Sequence, residues 1–151
     1  MTLDLSIELT GRLVLAGVLG ALIGAEREYR AKTAGTRTHF LVALGSALLM
    51  IVSQYGFMGP AVAGTHTADA SRVAAQIVSG IGFIGAGTIL VQKHAVHGLT
   101  TAAGLWVAAG IGMASAGGLY VLAVAATVLS LVGLELFGWF NFRRRGKRAE
   151  G

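Results

Sequence analysis

Cysteine is absent from the 151 residues, so neither a disulfide nor a thiolate-ligated metal site can form. Charge is scarce. Asp, Glu, Lys and Arg make up 13% of the chain, against about 25% in an ordinary soluble domain. Proline occurs once, at Pro60. The stretch from Met1 to Gly11 has no basic residue and carries Asp4 and Glu8, so a cleavable signal peptide is not expected and the first apolar run should persist as a helix. Catalytic signatures are also lacking. There is no His-Glu-x-x-His, no phosphate loop, and no base near Ser46, Ser53 or Ser79 in sequence. An enzyme is not expected.

What the chain does have is apolar residues, 54% of the total, arranged in long runs separated by short polar segments. That pattern predicts an all-α integral membrane bundle. Five crossings are expected. Residues 1–12 form either a short entry segment at the interface or the first turns of the first helix, which then runs to about Ala25. The second helix spans about His39–Tyr55. The third rises from Arg72 to Gln92, about 30 Å of helix, enough to match a bilayer core. The fourth spans about Leu99–Ala114 and the fifth about Leu119–Phe142.

The net charge of +5 does not point to nucleic acid, because of where the charge lies. Of the 12 Lys and Arg, all but Arg12 and Arg72 fall in the segments 26–38, 93–98 and 143–151, which flank apolar runs on alternate sides. The positive-inside rule then places those segments in the cytoplasm, with the N-terminus out and the C-terminus in. Four or six crossings would put a basic segment on the wrong side. The transmembrane unit is read as residues 1–142 and the basic cytoplasmic tail as 143–151. Trp139 and Phe140 suit the headgroup layer, and the tail suits anionic lipid.

Glycine is abundant, 23 residues, and its spacing suggests close helix contact. Gly20 and Gly24 form a G-x-x-x-G pair, Gly104, Ala108 and Gly112 a stripe, and Gly80, Gly82, Gly85 and Gly87 crowd the third helix. Gly80 to Gly85 also fits a dinucleotide-binding pattern. That motif needs a strand before it and an acidic residue about 20 positions on; neither is expected here, so it is read as packing.

Ionisable groups at membrane depth should face the interior and pair. By depth, Glu26, Arg37, His39 and Glu135 form a candidate cluster on the inner side. On the outer side Asp69, Arg72 and Gln76 share one helix face, with Gln54 as a candidate partner and Asp69 also placed to cap the third helix. Magnesium prefers several oxygen ligands, which Asp69 and Gln76 could offer, but Arg72 beside them repels a dication. His94 and His97 are too few for a metal site. No other cofactor is expected.

Gly24-x-Glu26-Arg27 with Gly35-Thr36-Arg37-Thr38-His39, then Asp69-x-Ser71-Arg72-Val73-Ala74-Ala75-Gln76 running on to Gly87-Thr88, then Gly98-Leu99-Thr100-Thr101-Ala102-Ala103-x-x-Trp106, resembles the MgtC/SapB family of bacterial inner-membrane proteins. The resemblance covers nearly the whole chain and implies a five-helix membrane region. It implies a role in adaptation to magnesium limitation or acid stress, virulence in some members, and modulation of the F-type ATP synthase or of potassium and magnesium homeostasis. Direct cation transport is the alternative it leaves open. Longer members carry a soluble C-terminal domain, which is expected to be lacking here. The partners expected are the lipid bilayer and a second copy of the chain.

Overall fold

The computed structural model describes the backbone of residues 2–56, 69–92 and 95–149; the side chains of residues 70 and 139–149 lie outside that description. Pro60, Lys93 and His94, and the side chains of Trp139, Phe140 and the basic tail, therefore fall outside it. Five helices organise the described residues: α1 (Leu3–Tyr29), α2 (Thr36–Ile51), α3 (Ala70–Ala86), α4 (Leu99–Ala116) and α5 (Tyr120–Ala149). A π-helical turn, Val52–Gly56, extends α2. All but α3 contain a stretch long and apolar enough to cross a membrane. The chain is an all-α, multi-pass membrane protein.

α1 has no separate entry segment. Ser6 and Thr10 return their hydroxyls to the carbonyls four residues back, at 3.2 and 2.8 Å, and Glu8 pairs with Arg12 one turn on. Their polar groups are thus satisfied within the helix, which continues unbroken from Leu3. The turn after α1 is tight. Glu28 accepts the Thr36 N–H at 2.9 Å and supplies the cap that Gly35 has no side chain to give.

α3 is shorter than the spacing predicts. It ends at Ala86, and Leu90–Gln92 pairs antiparallel with Ala95–His97 as a small hairpin instead of extending the helix to Gln92. Gly87 closes the helix, and the Thr88 hydroxyl bonds the Gly85 carbonyl at 2.8 Å. The β-branched Ile89, Val91 and Val96 then favour the extended chain. Gly98 closes the hairpin at φ +91; a Cβ there would collide with the Thr88 carbonyl oxygen. Only glycine fits that approach. Gly80 to Gly85 lies inside a helix, with no strand leading into it among the described residues, so the motif lacks the context a nucleotide loop needs.

α4 is the central rod and packs against the other four helices. It is apolar on all sides, as a rod surrounded by others should be. Close approaches fix the directions. Gly20 faces the Ala43 methyl and the His39 backbone, and Gly24 faces the Thr36 backbone, so α1 and α2 run antiparallel. Gly104 sits by His39 and Gly112 by Ala43, so α2 and α4 run parallel. Gly85, late in α3, meets Ala102, early in α4, while Ile77 and Ile81 share a core cluster with Leu105 and Ala109, so α3 opposes α4 and hence α2. α5 covers its neighbours through Ala123 and Thr127 and leaves Val121, Leu129 and Phe137 uncovered, as a lipid-facing helix would.

The glycines divide accordingly. A Cβ on Gly20 would stand 2.6 Å from the His39 carbonyl oxygen, and one on Gly24 would stand 2.6 Å from Thr36 Cα. Gly85 and Gly87 make ordinary or slightly tight approaches of 3.6 and 3.3 Å. Gly80 and Gly82 meet nothing within 4 Å, so their expected packing is not made among the described residues.

Candidate functional site

Two ionic layers bracket the bundle. At one end Arg12 donates to the Ala116 carbonyl at 2.7 Å, to the Tyr120 hydroxyl at 3.1 Å and to the Glu8 carboxylate. It thereby satisfies a carbonyl at the end of α4 that has no partner within the helix. At the other end lie Glu26, Arg27, Arg30 and Glu135. Arg12 and Arg30 are 18 residues apart on one helical path, about 27 Å, close to the thickness of a hydrocarbon core.

The inner group keeps Glu26 and Glu135 of the expected four, but Arg27 and Arg30 stand where Arg37 and His39 were expected. Glu26 and Glu135 do belong to one array, but the link between them is Arg30. Its Nε lies 2.7 Å from Glu26, and its outer nitrogen pairs with Glu135. Glu135 holds the Arg30 guanidinium above its ordinary range through that hydrogen bond. Glu135 is 59% exposed, so it reaches the pair from the bundle surface and not from within. Glu26 is 9% exposed and also lies 3.6 Å from Arg27, itself buried. Two carboxylates thus meet two guanidiniums. Sequence reasoning missed Arg30 because depth alone does not say which cation in a basic loop turns back to the bundle.

Arg37 is not part of this array. It is exposed and faces the other way, toward a groove between α2 and α3. His39 is fully buried. Its Nδ1 lies 3.0 Å from the Gly35 carbonyl and must donate to it, which turns Nε2 toward Gly104. A Cβ on Gly104 would stand 3.2 Å from that nitrogen, so the glycine makes room for the ring. Nε2 has no hydrogen-bond partner among the described residues.

The outer trio is open. Asp69, Arg72 and Gln76 are all left uncovered by the rest of the chain, so Arg72 and Gln76 are not the buried pair the depth argument predicts. Asp69 caps α3: its carboxylate accepts the Ser71 N–H at 2.9 Å, which holds its pKa below the usual carboxylate range. Gln54 lies in the π-helical turn, its Oε1 buried. No group of three or more His, Asp or Glu capable of holding a metal occurs among the described residues. Asp69 and Gln76 stay two separate oxygens, one already engaged.

The MgtC family profile matches residues 13–142, most of the chain and every helix. This chain belongs to the MgtC family. Among its relatives are the "Putative magnesium transporter YhiD" of Escherichia coli (strain K12), 49% identical over 90% of this chain and 63% of that protein, and the MgtC protein of Salmonella typhimurium (strain LT2), 47% identical over 79% of this chain and 48% of that one. An uncharacterized protein of Haemophilus influenzae is 46% identical over 83% of this chain and 53% of its own length. The chain thus spans between about half and two thirds of the length of these relatives. No solved structure matches it.

Proposed function

We propose that the chain is a non-catalytic regulator in the bacterial inner membrane, oriented N-terminus out and C-terminus in, that acts by helix-to-helix contact. Its targets are a second copy of itself and another membrane complex, an F-type ATP synthase or an ion transporter. The setting is adaptation to magnesium limitation or acid stress, including virulence.

One observation carries this reading. Ala75, Ser79, Gly82 and Ala86 form a small-residue stripe along one side of α3, all uncovered, with Phe83 standing 85% exposed beside it. Spacings of four, three and four keep them on one face. In lipid, helices associate where small residues let backbones approach, and this stripe finds no partner within the described chain. Further support comes from the inner array, whose two carboxylates are neutralised by two guanidiniums and so offer a dication no spare charge. Between the ionic layers the buried side chains of the described residues are mostly apolar, Leu19, Ile23, Leu105 and Ile111 among them, and the buried polar ones, such as His39, Ser46 and Thr127, include no carboxylate, which supports a closed interior over a cation path.

The second reading is a transporter of magnesium or another small cation. The name of the Escherichia coli relative favours it. Gly82→Leu tests the choice cleanly, because a side chain there meets open space within the chain. Under the regulator reading, Gly82→Leu abolishes growth support at low magnesium while membrane protein levels hold. Liposomes containing only this protein show no cation flux. Flux in those liposomes overturns the regulator reading.

A further inference from the structure

A groove of about 680 Å³ runs between α2 and α3, on a different face of α3 from the small-residue stripe. It exists because of missing side chains: Gly45 on α2 and Gly80 on α3 both line it, and a Cβ on either would meet nothing within 4 Å. Its walls are apolar, with Leu49 toward one end and Ile84 toward the other. The two helices run in opposite directions, so Arg37 at the start of α2 and Ile84 near the end of α3 share one level, while Leu49 and Gln76 share the far one. From Arg37 to Leu49 is 12 residues, about 18 Å of helix, which is roughly half of a bilayer's hydrocarbon core. The groove is therefore one leaflet deep.

We infer that this groove holds an acyl chain of an anionic glycerophospholipid, with the headgroup phosphate on Arg37. The charges argue for it. Arg12, Arg27 and Arg30 are each held by a carboxylate, whereas Arg37, at the mouth of the groove, is in no ion pair among the described residues. The nearest acid in sequence, Glu28, is turned to the Thr36 N–H. Arginine pairs with phosphate through a planar fork, and a cation at the membrane surface attracts anionic lipid. A second copy of the chain is the poorer occupant. It would have to bring a free carboxylate to that level, and Glu26 and Glu135 are already held by arginines. This inference needs the chain to span a membrane but does not depend on whether it regulates or transports.

The test uses the full chain, purified and delipidated in mild detergent, with bound lipid counted by native mass spectrometry. Phosphatidylglycerol is expected to bind about tenfold more tightly than phosphatidylcholine with the same chains. Arg37→Gln should erase that preference and leave the melting temperature unchanged. Gly80→Leu should lower the binding of both lipids by filling the groove, and Gly45→Leu serves the same end if Gly80→Leu does not assemble. The inference is overturned by equal binding of the two lipids to wild type, or by a preference that survives Arg37→Gln. It is also overturned if inorganic phosphate competes fully, which would mean a headgroup site without the groove. Disulfide linkage between copies of a Gly45→Cys variant in liposomes would seat a second copy there and overturn it too.

Discussion

The guanidinium of Arg30, the residue that caps the end of α1, joins Glu26 on that helix to Glu135 on α5, 105 residues away in sequence. The two carboxylates it holds are unequal. Glu26 is almost covered and shares its charge with the buried Arg27, while Glu135 is mostly open. One arginine thus connects the sealed part of the bundle to the least covered of the four long apolar helices.

That inequality sets the outcome of neutralising each acid. Glu26→Gln leaves Arg27 buried beside no carboxylate and should cost about 3–5 kcal/mol. Glu135→Gln removes a partner from an open pair and should lower stability far less. Thermal unfolding in detergent, read for both variants beside wild type, checks the ranking. Equal losses would mean that α5 is held on chiefly through Glu135.

The glycines make a second contrast. Gly24→Ala drives a methyl to within 2.6 Å of the Thr36 backbone and should cost about 1–3 kcal/mol, since α1 and α2 must separate. Gly82→Ala meets open space in a helix and should be neutral or stabilising by up to about 1 kcal/mol. Melting temperatures of the two variants should move in opposite directions or differ plainly in size.

Asp69 makes the start of α3 sensitive to acid. Its pKa is lowered by Ser71, through the side chain and the backbone N–H, so the folded value lies below the unfolded one. The cap therefore contributes fully above the unfolded pKa and is lost as pH falls through the folded pKa. Amide exchange at Ser71 and Arg72 should speed up on acidification below the usual carboxylate range. Asp69→Ala should exchange fast at every pH, with no such step.

Crossing number depends on α3. Its 17 residues rise about 26 Å, a little short of a typical hydrocarbon core of about 30 Å. With α3 spanning, tags at the two chain ends should lie on opposite faces of the membrane. Both tags on one face would mean four crossings, and α3 would then lie in the interface or dip into one leaflet.

Much of the architecture was legible in the order of residues. Long apolar runs can be satisfied in lipid only as helices, because every backbone N–H and C=O must find its partner inside the segment. The number and order of the helices follow from that, and so does the tight approach at Gly20 and Gly24, where a G-x-x-x-G pair falls in an apolar span. Three things required the tertiary structure. The end of α3 at Ala86 was hidden because Ile89, Leu90 and Val91 are as apolar in a strand as in a helix, and hydropathy does not separate the two. The partner of Glu135 was hidden because four cations share one loop and only the packing of α1 on α5 selects Arg30. The groove at Arg37 was hidden because a missing side chain looks the same in sequence whether a neighbour fills the space, as at Gly20, or nothing does, as at Gly80. Composition tells a chain where it must avoid water, but which bare backbone is pressed against another is a property of distances between helices, and those exist only after folding.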